Sequence, residues 1–226
     1  MNMGEAKLRI ESSPFQGVFR SGDMVLTKNL APGKRVYGER LFSQDGEEYR
    51  EWSPDRSKLG AFIRKGGSIF PFRPDSHVLY LGASSGTTPS HVSDLVPQGR
   101  VYAVEISPRM FRDLVGVCEE RPNMMPILGD ATKPDDLAFL VERADVVYQD
   151  VAQKNQAGMF AKAMKRFSAP YGMLAVKARS EDVTREPRDV FQDAAAYLRK
   201  EGFKVLEITD LEPFEKDHAM IVVHKQ

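Results

Sequence analysis

From residue 77 onward, apolar runs of five or six residues recur at 77–81, 101–106, 145–149, 173–177, 203–208 and 219–224, with a weaker one at Met125 to Leu128. Runs of that length, rich in Val, Ile and Leu, predict strands buried on both faces. The segments between them carry helical periodicity. Met159, Phe160, Ala163, Met164 and Phe167 fall on one helix face, as do Val190, Phe191, Ala194 and Leu198 within Asp189 to Lys200. Helix ends are marked too: Thr88-Pro89 and Ser107-Pro108 each open a helix, while Gly99 and Gly202 follow helix ends. Strands alternating with helices predict an α/β fold with a mostly parallel, doubly wound sheet, whose ligand crevice lies at the carboxyl ends of the strands. Residues 1–55 read differently. Turn signals at Ser21-Gly22, Asn29, Pro32-Gly33 and Asp45-Gly46 separate short strand-like pieces such as Val18-Phe19 and Met24 to Thr27. They predict a small antiparallel β-rich subdomain, with the larger domain spanning 56–226.

Composition narrows the class. With 42% apolar and 28% charged residues, and 32 Lys plus Arg against 32 Asp plus Glu, the chain has an ordinary globular make-up. No apolar run approaches the roughly 18 residues of a membrane-spanning helix, and Met1 to Arg9, with Glu5, Lys7 and Arg9, lacks the apolar region of a signal peptide. A lone Cys118 excludes an internal disulfide and a multi-thiolate zinc site. His77, His91, His218 and His224 show no metal-ligand spacing, so no metal is expected. The chain therefore reads as an intracellular protein without a membrane partner. Charge is uneven: 101–150 holds 5 basic and 10 acidic residues, 154–200 holds 10 basic and 5 acidic. Such a swing suits an anionic ligand on one side, or simply solvated helix faces.

The strand at 77–81 runs into Gly82-Ala83-Ser84-Ser85-Gly86-Thr87-Thr88 and then a helix. Glycines at such a turn let a ligand approach the backbone beside the free N–H groups of a helix start; a tight connection without a ligand is the other reading. Glu105 ends the next strand, where a carboxylate accepts hydrogen bonds from both hydroxyls of an adenosine ribose, or caps the following helix. NAD and S-adenosylmethionine both suit that geometry. The loop lacks the Gly-x-Gly-x-x-Gly fingerprint and any P-loop lysine, and no Tyr-x-x-x-Lys pair occurs in the chain. Instead, acids follow the third and fourth strands in Gly129-Asp130-Ala131 and Asp150-Val151-Ala152-Gln153. Asp130 is placed for an adenine amino group and Asp150 for the neighbourhood of a transferable methyl.

Taken in order, Tyr37-Gly38-Glu39, Arg56-Ser57-Lys58-Leu59, Leu81 to Thr88, Val104-Glu105, Gly129-Asp130-Ala131, Asp150 to Gln153, Val176-Lys177-Ala178-Arg179 and Asp217-His218-Ala219 resemble the fibrillarin family. The likeness is to the archaeal type, without a Gly/Arg-rich extension, and spans almost the whole chain. It implies a class I, Rossmann-like S-adenosylmethionine-dependent methyltransferase fold and RNA ribose 2′-O-methylation of rRNA or tRNA inside box C/D ribonucleoproteins. It also implies that Gly82, Ser84, Thr87, Thr88, Glu105, Asp130, Ala131, Asp150, Val151, Ala152 and Gln153 line the cofactor pocket. Lys58, Asp150, Lys177 and His218 match the family's catalytic Lys-Asp-Lys-His set. The chemistry is consistent with this, since a ribose hydroxyl is a poor nucleophile that must be aligned and relieved of its proton. Lys177, closing the strand Met173 to Val176, is expected at the active-site edge.

A neutral chain with only 154–200 enriched in Lys and Arg predicts weak RNA binding by itself. The resemblance implies delivery to target rRNA or tRNA by box C/D guide RNA, a Nop-domain scaffold protein and a kink-turn-binding ribosomal-type protein. The amino-terminal β layer is then either the docking surface for the scaffold or a cap over a sheet edge. Lys154, Lys162, Lys165, Arg179, Arg185 and Arg188 are candidate phosphate contacts. Two rival functions are a protein glutamine methyltransferase and a non-catalytic ribonucleoprotein subunit.

Overall fold

The structure, a computed structural model, describes residues 9–226; the reading of residues 1–8 as a segment without a signal-peptide core lies outside the described residues. A five-stranded sheet opens the chain: β1 (Glu11–Ser12), β2 (Val18–Ser21), β3 (Met24–Lys28), β4 (Leu41–Gln44) and β5 (Glu47–Glu51). All its pairs are antiparallel, in the order β1-β2-β3-β5-β4. The turn signals act here as expected. Gln44 pairs with Glu47 across a two-residue loop in which Asp45 (φ 54°) and Gly46 (φ 81°) both take the left-handed backbone that a tight hairpin requires.

The second sheet alternates with helices. In chain order come α1 (Lys58–Arg64), β6 (His77–Leu81), α2 (Thr87–Leu95), β7 (Arg100–Glu105), α3 (Pro108–Glu119), β8 (Met124–Leu128), α4 (Pro134–Leu137) and β9 (Val146–Gln149). There follow α5 (Gln156–Phe167), β10 (Tyr171–Lys177), α6 (Ala178–Glu181), α7 (Pro187–Lys200), β11 (Phe203–Asp210) and β12 (His218–Lys225). The seven strands lie in the order β11-β12-β10-β9-β6-β7-β8. The five from β8 to β10 are parallel, but β12 runs against both of its neighbours. The apolar pattern foresees β12 without its direction. The connection from Asp210 to His218 is too short for a crossover helix, so only an antiparallel return is available.

Alternation along each strand feeds two cores. Leu79, Leu81, Val104 and Leu174 face Phe160, Phe191 and Leu198 from α5 and α7. Val78, Tyr80, Tyr148 and Met220 face Leu59 and Phe62 of α1, Val92 of α2 and Leu114 of α3. Val18, Val25 and Trp52 join this second core, so the amino-terminal sheet packs on that face. Phe160 is fully buried, a burial worth roughly 1.5–3 kcal/mol.

Two helix details depart from the sequence reading. Helix α2 starts at Thr87, two residues earlier than the Pro89 that its Thr88-Pro89 signal marks as first, because left-handed Gly86 (φ 93°) turns the chain into it. In α7 the buried face is completed by Ala195, while Ala194 is only partly covered. By contrast α3 follows its signal, with the Ser107 hydroxyl accepting from the Met110 N–H and Pro108 in first position. Among the described residues no helix is long and apolar enough to cross a membrane.

Candidate active site

The site forms where β6, β7, β9 and β10 end. At the end of β6, Gly82 (φ 85°) carries the chain so close to β9 that a Cβ would lie 2.3 Å from the Asp150 carbonyl oxygen. Only glycine permits that crossing. The turn continues through Ser84, itself at φ 50°, whose N–H donates to Glu105 Oε2 at 2.7 Å. The other oxygen, Oε1, accepts from the Ser107 N–H at 2.8 Å. Glu105 thus ties the glycine turn to the start of α3, and each oxygen keeps lone pairs for a ligand.

Beside it lies a cavity of about 290 Å³ lined by Gly82, Ser84, Glu105, Asp130, Ala131 and the Asp150 to Gln153 segment, with Lys177 at its edge. Asp130 Oδ1 accepts from both the backbone and the hydroxyl of Thr132, which holds its carboxyl below the usual range and leaves Oδ2 free. Ile106 and Val151 supply apolar wall. A second cavity of about 390 Å³ shares Gly82, Ser84, Asp150 and Lys177 and adds Lys58, Thr87, Thr88 and Arg56. Thr88 is buried, and its hydroxyl donates to Ser57 Oγ at 3.0 Å. Ser57 in turn caps α1 by accepting from the Gly60 N–H. Thr88 therefore braces the helix that carries Lys58.

Between the two cavities the charges converge. Lys177 Nζ lies 2.8 Å from Asp150 Oδ1, and Lys58 Nζ lies 3.3 Å from Oδ2. Burial pushes the Asp150 carboxyl up, but the two ammonium groups outweigh it and hold it below the usual carboxylate range. His218 opens β12 directly opposite Lys177, so the two side chains share one face of the sheet. The imidazole donates from Nδ1 to the Lys216 carbonyl, which leaves Nε2 with its lone pair in the neutral form. Burial first, and then Lys58, lower its pKa. All four expected catalytic residues therefore meet at one point.

Sequence reasoning missed Glu215, 3.8 Å from Lys58 Nζ and 4.0 Å from His218 Nδ1. Burial raises its carboxyl, and its only signal in the sequence is its position three residues before His218. Several of the expected phosphate contacts are otherwise engaged. Lys165 pairs with Glu201 at 2.6 Å, Arg179 with Asp217 at 3.0 Å and Arg185 with Asp193 at 2.6 Å. Lys162 Nζ lies 3.3 Å from the Thr132 carbonyl. Among the described residues no group of three or more His, Cys, Asp or Glu side chains is arranged to hold a metal ion.

The sequence pattern described as Fibrillarin matches residues 10–226. A Fibrillarin-like rRNA/tRNA 2′-O-methyltransferase of Methanopyrus kandleri is 56% identical over 199 residues, which is 87% of this chain and 86% of that one. Aeropyrum pernix fibrillarin, solved in complex with natively bound S-adenosyl-L-methionine, superposes with a TM-score of 0.87 at 43% identity, covering 96% of this chain and 98% of its own. A chain from a fibrillarin/Nop5p complex superposes with a TM-score of 0.87 at 40% identity, covering 95% and 100%. On the match over residues 10–226 and the 56% identical relative, this chain belongs to the fibrillarin family.

Proposed function

We propose that this protein is an S-adenosylmethionine-dependent RNA ribose 2′-O-methyltransferase acting on rRNA or tRNA sites chosen by a box C/D guide RNA. The convergence of Lys58 and Lys177 on Asp150, at the mouth of a cavity edged by Glu105 and Asp130, carries this reading. The residues fit the cofactor: Glu105 has acceptor capacity for ribose hydroxyls, Asp130 Oδ2 for an adenine amino group, and Ile106 and Val151 offer apolar surface to a purine face. The Asp150 to Gln153 segment and Ala131 complete the wall, with the Asp150 carboxylate on the side where a sulfonium is compensated. When bound, the cofactor supplies an electrophilic methyl group.

The chain's own groups prepare the acceptor. Lys177 holds the 2′-oxygen in line, and Asp150 fixes the Lys177 and Lys58 ammonium groups in place. His218, neutral with Nε2 free, takes the hydroxyl proton as the carbon–oxygen bond forms. In this reading residues 56–226 carry the transfer and residues 1–55 form the face offered to a Nop-domain scaffold. The likeness to a chain crystallised with Nop5p supports that partner. Guide RNA, target RNA and a kink-turn-binding protein complete the particle, and such an enzyme works inside the cell.

Methyl transfer from radiolabelled S-adenosylmethionine, measured with and without guide RNA and the two partner proteins, tests the proposal. Label is expected on one ribose and only in the complete mixture. Label on protein alone, or none in the complete mixture, overturns it.

A further inference from the structure

Strand β9 stops at Gln149, opposite Leu174, where the chain turns away to line the cofactor cavity. Strand β10 continues for three more residues to Lys177. On that side the Lys177 backbone has lost its neighbouring strand. An unpaired N–H and C=O in a buried position are costly, so the question is where those two hydrogen bonds go.

They go to one side chain. Gln156, fully buried at the start of α5, accepts from the Lys177 N–H through Oε1 at 2.9 Å and donates from Nε2 to the Lys177 carbonyl at 3.0 Å. A primary amide offers the same donor and acceptor as a strand peptide, so Gln156 stands in for the missing strand. Gln156 is itself held at both backbone ends. Its carbonyl accepts from Gln149 Nε2 at 2.8 Å, and its N–H donates to the Glu181 carboxylate at 2.6 Å. On the other side of β10, Lys177 pairs with His218 of β12, and the next residue's N–H, that of Ala178, donates to the Asp217 carbonyl at 3.0 Å.

We infer that Gln156 is a positioning residue for methyl transfer: its amide replaces a strand at the carboxyl edge of the sheet and fixes the backbone from which Lys177 reaches Asp150. The inference rests on the proposed methyltransferase reading. Gln156 touches neither cavity and acts through Lys177 alone. Its loss therefore moves the chemical step and spares cofactor binding, because a displacement near 1 Å at a reacting group costs about 10²-fold in rate.

The test uses the full ribonucleoprotein with Gln156→Met, which keeps the length and removes both hydrogen bonds, and Gln156→Glu, which keeps an acceptor and loses the donor. The single-turnover rate at saturating S-adenosylmethionine is expected to fall by roughly 10- to 100-fold for Gln156→Met and by less for Gln156→Glu, while cofactor affinity stays within about twofold. In a Lys177→Arg background the Gln156→Met loss should shrink, as expected for residues that act as one unit. An unchanged rate in a folded variant, equal losses of rate and cofactor affinity, or full additivity with Lys177→Arg overturns the inference. If the wild-type particle transfers no methyl group, the functional reading fails separately. Hydrogen exchange at the Lys177 amide then decides the clamp: protection lost in Gln156→Met supports it, and unchanged protection ends it.

Discussion

Two clusters of ion pairs among the described residues are built from different cations. At the junction between the amino-terminal sheet and α2, Arg50 and Arg121 meet Glu39 and Asp94 with side chains at most 1% exposed. Asp94 takes Arg121 at 2.6 Å, the Thr27 hydroxyl at 2.7 Å and the Leu30 N–H at 3.1 Å. His91 lies within the same network, stacked on Trp52, and burial with two nearby arginines lowers its pKa well below the ordinary value. In the candidate active site the cations are Lys58 and Lys177, 14% and 19% exposed, and they share a single carboxylate. Arginine keeps its proton under all ordinary conditions and spreads several donors in a fixed fork, which suits a permanent joint. Lysine carries a compact charge on a flexible stem, which suits a group that must contact a changing substrate. The difference separates ions that hold the fold together from ions left accessible for chemistry.

Exchanging the roles breaks the comparison most sharply. Lys177→Ala should lower methyl transfer by about 10²-fold or more, the cost of losing alignment at a reacting group, with cofactor affinity by calorimetry nearly unchanged. A fully active variant would remove Lys177 from the mechanism. At the junction the prediction reverses. Arg121→Met leaves Asp94 short of a partner, at a cost of about 3–5 kcal/mol, while the rate per folded molecule at low temperature holds; denaturant unfolding would show whether that loss is absent. The smallest effect concerns pH. Because the two lysines depress the Asp150 carboxyl, its ion pairs are fully present above the ordinary value of about 3.9 and are lost as pH falls through the lower folded value. Asp150→Asn should therefore melt below the wild type at neutral pH, with the gap closing under acid; a gap independent of pH counts against the pairing.

Much of this was legible from residues close together in sequence. Five-residue apolar runs gave the strands, Ser107-Pro108 gave the start of α3, and Gly82, Glu105, Asp130 and Asp150 marked successive strand ends. What escaped depends on contacts with no spacing signature. Arg121 reaches Asn29 across 92 residues, and Gln156 reaches Lys177 across 21. Neither residue type announces such a partner, since most glutamines and arginines are solvated. The hydrogen bond from Thr88 to Ser57 escaped in the same way, since 31 residues separate the two. The ion pairs of Lys165 with Glu201 and Arg179 with Asp217 likewise join residues 36 and 38 apart.

The reversed strand β12 also sets an order of assembly. It is made after both β10 and β11, yet it occupies the slot between them. Until it inserts, β10 has an open edge and Lys177 has no His218 opposite it. The cofactor-side turns belong to β6, β7 and β9 and lie earlier in the chain, so that pocket can take shape during synthesis. A chain interrupted before residue 218 thus holds most of the cavity edged by Glu105 and Asp130, while the Lys177 backbone lacks its antiparallel neighbour.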